Sequence, residues 1–194
     1  MILKAEILKK VCPYANIDKL NELIPFLNQY MNYYQISTPQ RVWHFIAQAA
    51  HESNSFNTLR ELYNGNPKDY FQKYEGRKDL GNIHEGDGEK FKGRGIFQTT
   101  GRFNYERTSM DVFKDKRLID TPELLEFPEW AVLSACYYWN SRHLNSLADT
   151  NNIRNITLKI NGGLNGINER MVFYDAAKKY INSECFIVIP NNYE

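Results

Sequence analysis

Two carboxylates stand close together in this chain: Glu52, in Ala50-His51-Glu52-Ser53, and Glu61, nine residues further on. Later comes Gly93-Arg94-Gly95-Ile96-Phe97-Gln98-Thr99-Thr100-Gly101-Arg102-Phe103-Asn104-Tyr105, a run dense in glycine, amide and hydroxyl groups. Cleaving a glycosidic bond takes one acid to protonate the leaving oxygen, one base to take a proton from water, and neutral groups to hold hydroxyls. These residue types, in this order, supply that inventory.

On a helical wheel of about 100° per residue, Val42, Phe45, Ile46, Ala49 and Ser53 share one face. Glu52 falls beside Phe45, on the flank of that face and near the helix C-terminus. Partial desolvation and the negative end of the helix dipole both disfavour its charged form, and a general acid must be protonated. Glu61 follows in the polar stretch Asn57-Thr58-Leu59-Arg60-Glu61, where solvent and Arg60 hold it ionised, as a base must be. Taken alone, a helix-end glutamate and a solvated loop glutamate are the more ordinary account of these two positions. Gly93 and Gly95 flank Arg94 and let backbone approach a ligand closely. Gln98, Thr99, Thr100 and Asn104 offer uncharged donors and acceptors suited to sugar hydroxyls, and a Thr or Asn could hold the attacking water. The plainer alternative is a polar helix start capped by Thr99 or Thr100, with Asn161-Gly162-Gly163 as a helix C-cap.

The elements that must position these groups read as helical almost throughout. Residues 3–10 form a first helix, and Asp18 caps a second with Leu20, Leu23, Ile24, Leu27, Tyr30 and Met31 at helical spacing and Pro25 inside it. Thr38-Pro39 starts a third that runs to about Ser53. Residues 54–100 break the rhythm, and Glu85-Gly86-Asp87-Gly88-Glu89 reads as a hairpin tip in a small β-containing lobe, with Asp87 in a turn. Helices resume near Arg102 and at Pro122–Leu125. Pro128 opens a helix, apolar nearly all round, that holds Trp130 to Trp139, and Ile167–Ile181 is a last amphipathic one.

Composition narrows the class. The 194 residues, 42% apolar and 24% charged, suit one soluble domain with a sizeable core. A net charge of +1 without a basic stripe gives no reason to expect nucleic acid. The aromatic fraction of 14% suits stacking against sugar rings, though most of it must be core. Cys12, Cys136 and Cys185 are odd in number and lack a CxxC spacing, which reads as buried thiols from a reducing compartment. The first ten residues interrupt their apolar positions with charges, so no signal peptide is read there, and no run is long enough to span a membrane. His44 and His51 lie seven apart and lack the second histidine of HExxH, so no metal and no cofactor is demanded. His51 is expected to hydrogen-bond within the site, and His44 to be a surface or structural residue.

The ordered set 50–53, Glu61, 93–105 and Ile160-Asn161-Gly162-Gly163-Leu164-Asn165-Gly166 through Arg170 resembles glycoside hydrolase family 19, the chitinase-like enzymes that include many bacteriophage endolysins. The likeness runs from about residue 10 to 182, and Phe97 stands where that family has a smaller aliphatic. It implies a mainly α, lysozyme-like α+β fold: two helical lobes around a cleft with a small β-hairpin region, all one catalytic domain over 1–194. It further implies hydrolysis with inversion, Glu52 as acid and Glu61 as base. His51, Gln98, Thr100, Asn104, Tyr105 and Asn161 then bind substrate or orient water, and Arg170 holds the charge network. The expected substrate is the β-1,4 bond of peptidoglycan glycan strands, cut by a monomeric endolysin made in the cytoplasm and released to the wall through a holin. Chitin oligosaccharide is the alternative substrate. Lytic transglycosylase chemistry, which needs only one glutamate, and a silent glycan-binding module are the alternative functions.

Overall fold

The computed structural model describes residues 1–186, so the last residues of the domain expected over 1–194 lie outside the described part. Helix α1 (Ala5–Val11) leads into α2 (Ile17–Tyr33). The cap of α2 is Asn16 rather than Asp18: its side-chain oxygen accepts from the N–H groups of Asp18 and Lys19, the free donors of a first turn. The helix continues through Pro25 and buries Leu20, Leu23, Leu27 and Met31.

Helix α3 (Pro39–Glu52) starts at Thr38-Pro39 as its sequence implies, although the Thr38 hydroxyl makes no capping bond. It is buried well beyond one stripe, from Val42 and His44 through Ala50, and packs most extensively on the C-terminal helix. His44 is accordingly no surface residue. Its ring is fully buried, bonds Asn151 Oδ1 at 2.9 Å and lies 4.5 Å from the Tyr174 ring. Burial holds this imidazole below its ordinary pKa, against the Asn151 hydrogen bond.

Glu52 ends α3 because the next residues turn left-handed: Asn54, Ser55 and Phe56 have φ of 50°, 58° and 62°. Such a conformation costs about 1–2 kcal/mol per residue. Local bonds and packing offset it. Ser53 Oγ donates to Ala49 O at 2.6 Å and accepts from Phe56 N at 3.0 Å, Ser55 N donates to Ala50 O at 2.7 Å, and the Phe56 side chain is 1% exposed.

The reversed chain then pairs with the glycine segment. Glu61 N donates to Gly93 O and Gly95 N to Leu59 O, both at 2.8 Å, while Arg94 and Thr99 exchange backbone bonds across a tight reversal. These antiparallel bridges, Arg60 with Arg94 and Arg94 with Thr99, are the β structure of the described residues. The hairpin expected at 85–89 is instead a short helix. After α4 (Pro67–Phe71) come single turns at Gln72–Tyr74 and Lys78–Leu80, then α5 (Asp87–Lys90). The Glu75 carboxylate accepts from Gly86 N and Gly88 N at 2.8 Å each, and Asp87 accepts from Ile83 N, His84 N and Arg102. The alternation of glycine and acid caps a helix here instead of making a strand turn.

The rest is helical: α6 (Arg102–Phe113), α7 (Arg117–Asp120), a 3-10 turn at Pro122–Glu126, α8 (Pro128–Ser141), α9 (Leu144–Asp149), α10 (Ile153–Asn161) and α11 (Ile167–Tyr180). One large hydrophobic cluster gathers residues of α1, α2, α3, α8 and α11 around Trp139, Phe45 and Leu27. A smaller one gathers Phe91, Tyr105, Leu118 and Leu125. All three cysteines are buried free thiols, and burial pushes the Cys12 thiol up to about 12. No helix of the described residues is long and apolar enough to cross a membrane.

Candidate active site

Glu52 reaches the end of α3 one turn after Gln48, so both side chains leave the same helix face. Between them sits the guanidinium of Arg170, 1% exposed, from α11. Its Nη1 donates to Gln48 Oε1 and its Nη2 to Glu52 Oε1, both at 2.5 Å. Gln48 Nε2 in turn donates to Thr157 Oγ1 at 3.1 Å. Glu52 therefore meets a cation, not the hydrocarbon flank that the helical wheel implies, so desolvation does not assign it the acid role. The network fixes the carboxyl's orientation through Oε1, and among the described residues Oε2 makes no hydrogen bond.

Glu61 is held by three donors. Lys73 Nζ and Tyr74 OH donate to Oε1 at 2.9 and 3.0 Å, and Gly93 N donates to Oε2 at 3.2 Å. Burial opposes the charge on Lys73, but its bonds to Glu61 and Tyr70 prevail and its pKa is raised. Burial and the Glu61 carboxylate both raise the Tyr74 phenol. The residue expected in a solvated loop beside Arg60 thus sits in a built anion site, while the Arg60 guanidinium points instead toward Glu126, at 3.9 Å.

The glycine segment meets Glu61 at Gly93. A methyl group there would lie 2.7 Å from Gln98 Oε1 and 3.3 Å from both Glu61 Oε2 and Thr100 Oγ1, so the three oxygens close around a position only glycine leaves open. Neither Thr99 nor Thr100 caps α6: Thr100 Oγ1 donates to Gln98 O at 2.9 Å, and Asn104 Nδ2 donates to Thr100 O at 2.8 Å. Gln98, Thr100 and Asn104 line one cavity of about 220 Å³, together with Tyr138, Arg142 and Ile160. Burial raises the Tyr138 phenol, the Arg142 charge lowers it and the Glu52 carboxylate adds a smaller rise.

One expected site residue, Tyr105, sits away from any ligand surface. Tyr105 is fully buried in the smaller cluster, donates to Lys92 O at 2.7 Å and accepts from Arg94 Nη1 at 3.1 Å. It cannot touch a sugar. Arg94 itself, 2% exposed, ties the glycine segment to Glu126 and Glu123 at 2.7 and 3.1 Å. Arg170 is buried behind Glu52, as a charge-network residue must be. His51 Nδ1 pairs closely with the Glu169 carboxylate, and its ring lies where a Cβ on Gly166 would meet it at 2.1 Å. Asn161 is exposed at the end of α10, where Gly162, at φ 71°, makes the C-cap.

The chain is 32% identical over 157 residues to a glycosyl hydrolase family 19 domain-containing protein of Haemophilus influenzae (strain ATCC 51907 / DSM 11121 / KW20 / Rd), across 68% of this chain and 76% of that protein. This chain belongs to glycoside hydrolase family 19. Among solved structures, it is similar to chitinase C from Streptomyces griseus HUT6037, with a TM-score of 0.71 at 19% identity over 92% of this chain and 76% of that one. It is also similar to a bacterial family 19 chitinase, with a TM-score of 0.73 at 16% identity over 94% and 96% of the two chains. At that identity the likeness is one of fold. No protein-family model matches the chain.

For this family 19 hydrolase, sequence reasoning missed Lys73, Tyr74, Gln48, Tyr138 and Arg142. Gln48 was findable, because it stands one helical turn before Glu52. Tyr138 lies on the helix that the sequence does reveal, and Arg142 is the C-cap of that helix four residues on. Lys73 and Tyr74 carry no such signal, since nothing in residues 62–74 says that this stretch folds back onto Glu61.

Proposed function

We propose that the protein is an inverting hydrolase of β-1,4 bonds in the glycan strands of peptidoglycan. What supports the reading most directly is the meeting of Glu61, Gln98 and Thr100 around Gly93, with Gln98 and Thr100 also lining the cavity that carries Tyr138. A water held between Glu61 Oε2 and Thr100 Oγ1 attacks the anomeric carbon and gives its proton to Glu61. As the C1–O bond breaks, the leaving oxygen takes the proton carried on Glu52 Oε2, the oxygen that Arg170 leaves free. Glu52 ends ionised and Glu61 protonated, and exchange with solvent restores both. Lys73 and Tyr74 hold Glu61 in one orientation through Oε1, a positioning contribution of the kind that dominates such reactions. The same contacts speak against transglycosylase chemistry, which has no use for a second carboxylate.

Chitin is a second reading, favoured by the fold shared with family 19 chitinases. Parallel reducing-end assays on purified peptidoglycan strands and chitin oligomers separate the two. With Glu52→Gln, turnover on the preferred glycan should fall about 1,000-fold or more with an unchanged circular dichroism spectrum. A variant that still clears cell walls at the wild-type rate refutes the assignment of the acid.

A further inference from the structure

The cavity that holds Gln98, Thr100 and Asn104 also carries two arginines, Arg107 and Arg142, and no Asp or Glu among its lining residues. A neutral sugar chain can use these groups as hydrogen-bond donors but offers no charge to pair with them. Arg142 lies with its guanidinium carbon 3.6 Å from the centroid of the Tyr138 ring, a stacking that fixes the plane and leaves its donor edges free. Among the described residues its side chain hydrogen-bonds only to Ser141 Oγ, at a long 3.5 Å, and pairs with no carboxylate. Arg107 has one acidic neighbour, Asp111 on its own helix, at 3.8 Å between exposed side chains, and the Tyr137 hydroxyl also bonds that carboxylate closely. So the wall presents one uncommitted fork and one weakly committed one, beside Tyr138.

We infer that Arg107 and Arg142 form a carboxylate-reading subsite, which selects glycan strands bearing acidic substituents over neutral ones. Resting on the hydrolase reading above, this names the feature of the strand that the site recognises. A guanidinium fork matches a carboxylate through two parallel hydrogen bonds. On peptidoglycan the carboxylate comes either from the lactyl group, once stem peptides are removed, or from the stem peptides themselves.

The test compares kcat/KM of wild type, Arg142→Gln, Arg142→Lys and Arg107→Gln on four substrates. These are chitin oligomers, intact peptidoglycan strands, strands stripped of stem peptides by an amidase, and stripped strands whose lactyl carboxylates have been amidated. Arg142→Gln should lower the ratio of acidic-strand to chitin-oligomer activity by about 10- to 100-fold, mostly through KM. Arg142→Lys should recover only part of it, and the amidated strands should behave like chitin. A loss confined to stripped strands assigns the lactyl source, and one confined to intact strands assigns the stem peptides. A wild type that cleaves wall strands while Arg142→Gln and Arg107→Gln leave the ratio unchanged overturns the subsite alone. A wild type that cleaves chitin oligomers and no wall strand overturns both the subsite and the wall-glycan reading. Thermal melting of each variant separates a lost contact from a lost fold.

Discussion

Removing the guanidinium of Arg170 takes away the donor that joins the Glu52 carboxyl to the Gln48 amide oxygen, on a side of the helix where Arg170 itself is 1% exposed. Breaking a buried ion pair from one side costs about 3–5 kcal/mol, because the other charge stays behind without compensation. Since the Glu52 side chain is 19% exposed, Arg170→Met should destabilise by about 3 kcal/mol, toward the lower end of that range. Urea denaturation measures this. The double variant Glu52→Gln/Arg170→Met should lose less than the two single losses combined, because the pair acts as a unit. Strict additivity would mean that the contact carries no coupling. At this scale the sequence is partly readable. The spacing of Glu52 and Glu61 and the oxygens of the glycine segment are visible in the residue order alone. The partners that orient them are not, because Arg170 reaches Glu52 from far along the chain and nothing in residues 62–74 says that Lys73 folds back onto Glu61.

Helix α3 does its work by stopping where it does. Its start is legible in Thr38-Pro39 and its burial in the apolar spacing of Val42, Phe45, Ile46 and Ala49. Its end is harder to read, since three successive residues with positive φ follow no common turn pattern. The left-handed turn sends the chain back so that Leu59–Glu61 can pair with Gly93–Gly95. Asn54 is exposed there at φ 50°, so a substitution tests backbone strain without disturbing packing. Asn54→Val should cost about 1–2 kcal/mol, while Asn54→Gly should stay within about 1 kcal/mol of wild type. Equal melting temperatures for both would show that the left-handed conformation does not matter. The hairpin expected at 85–89 fails for a related reason. Glycines alternating with acids serve a strand reversal and a helix cap equally well, and only Glu75, bonding Gly86 and Gly88 from outside the segment, decides between them. Tyr105 misleads for the opposite reason: it follows polar site residues in sequence, but its helix turns it into the core to meet Arg94.

Across the whole molecule, two apolar clusters form the core of the described residues, and ion pairs fasten the smaller one. The Asp87–Arg102 pair, at 2.6 Å with Asp87 2% exposed, joins the start of α5 to the start of α6. Burial works against the charge on Asp87, but the hydrogen bonds from Arg102 and the His84 N–H outweigh it and hold the carboxyl below its ordinary pKa. A carboxylate lowered by folding adds stability above its unfolded value, and that stability is lost as pH falls through the folded one. The loss therefore falls below about pH 4. Asp87→Asn should lower the melting temperature at neutral pH and flatten its decline between about pH 5 and pH 2.5. An acid limb as steep as that of wild type would show that this carboxylate does not govern acid unfolding. The helical architecture itself is legible in the periodicity of α2, α3, α8 and α11, whereas α9 and α10 are not: they are short, and the Asn152 cap of α10 lies in a run that reads as loop.

The account rests on Glu61 delivering water directly to the anomeric carbon while Glu52 protonates the leaving oxygen. Proton NMR of the first products, recorded before mutarotation, reads that event without any variant. Cleavage of a β-1,4 strand should release the α-anomer. Initial release of the β-anomer, or of 1,6-anhydro ends, would contradict it.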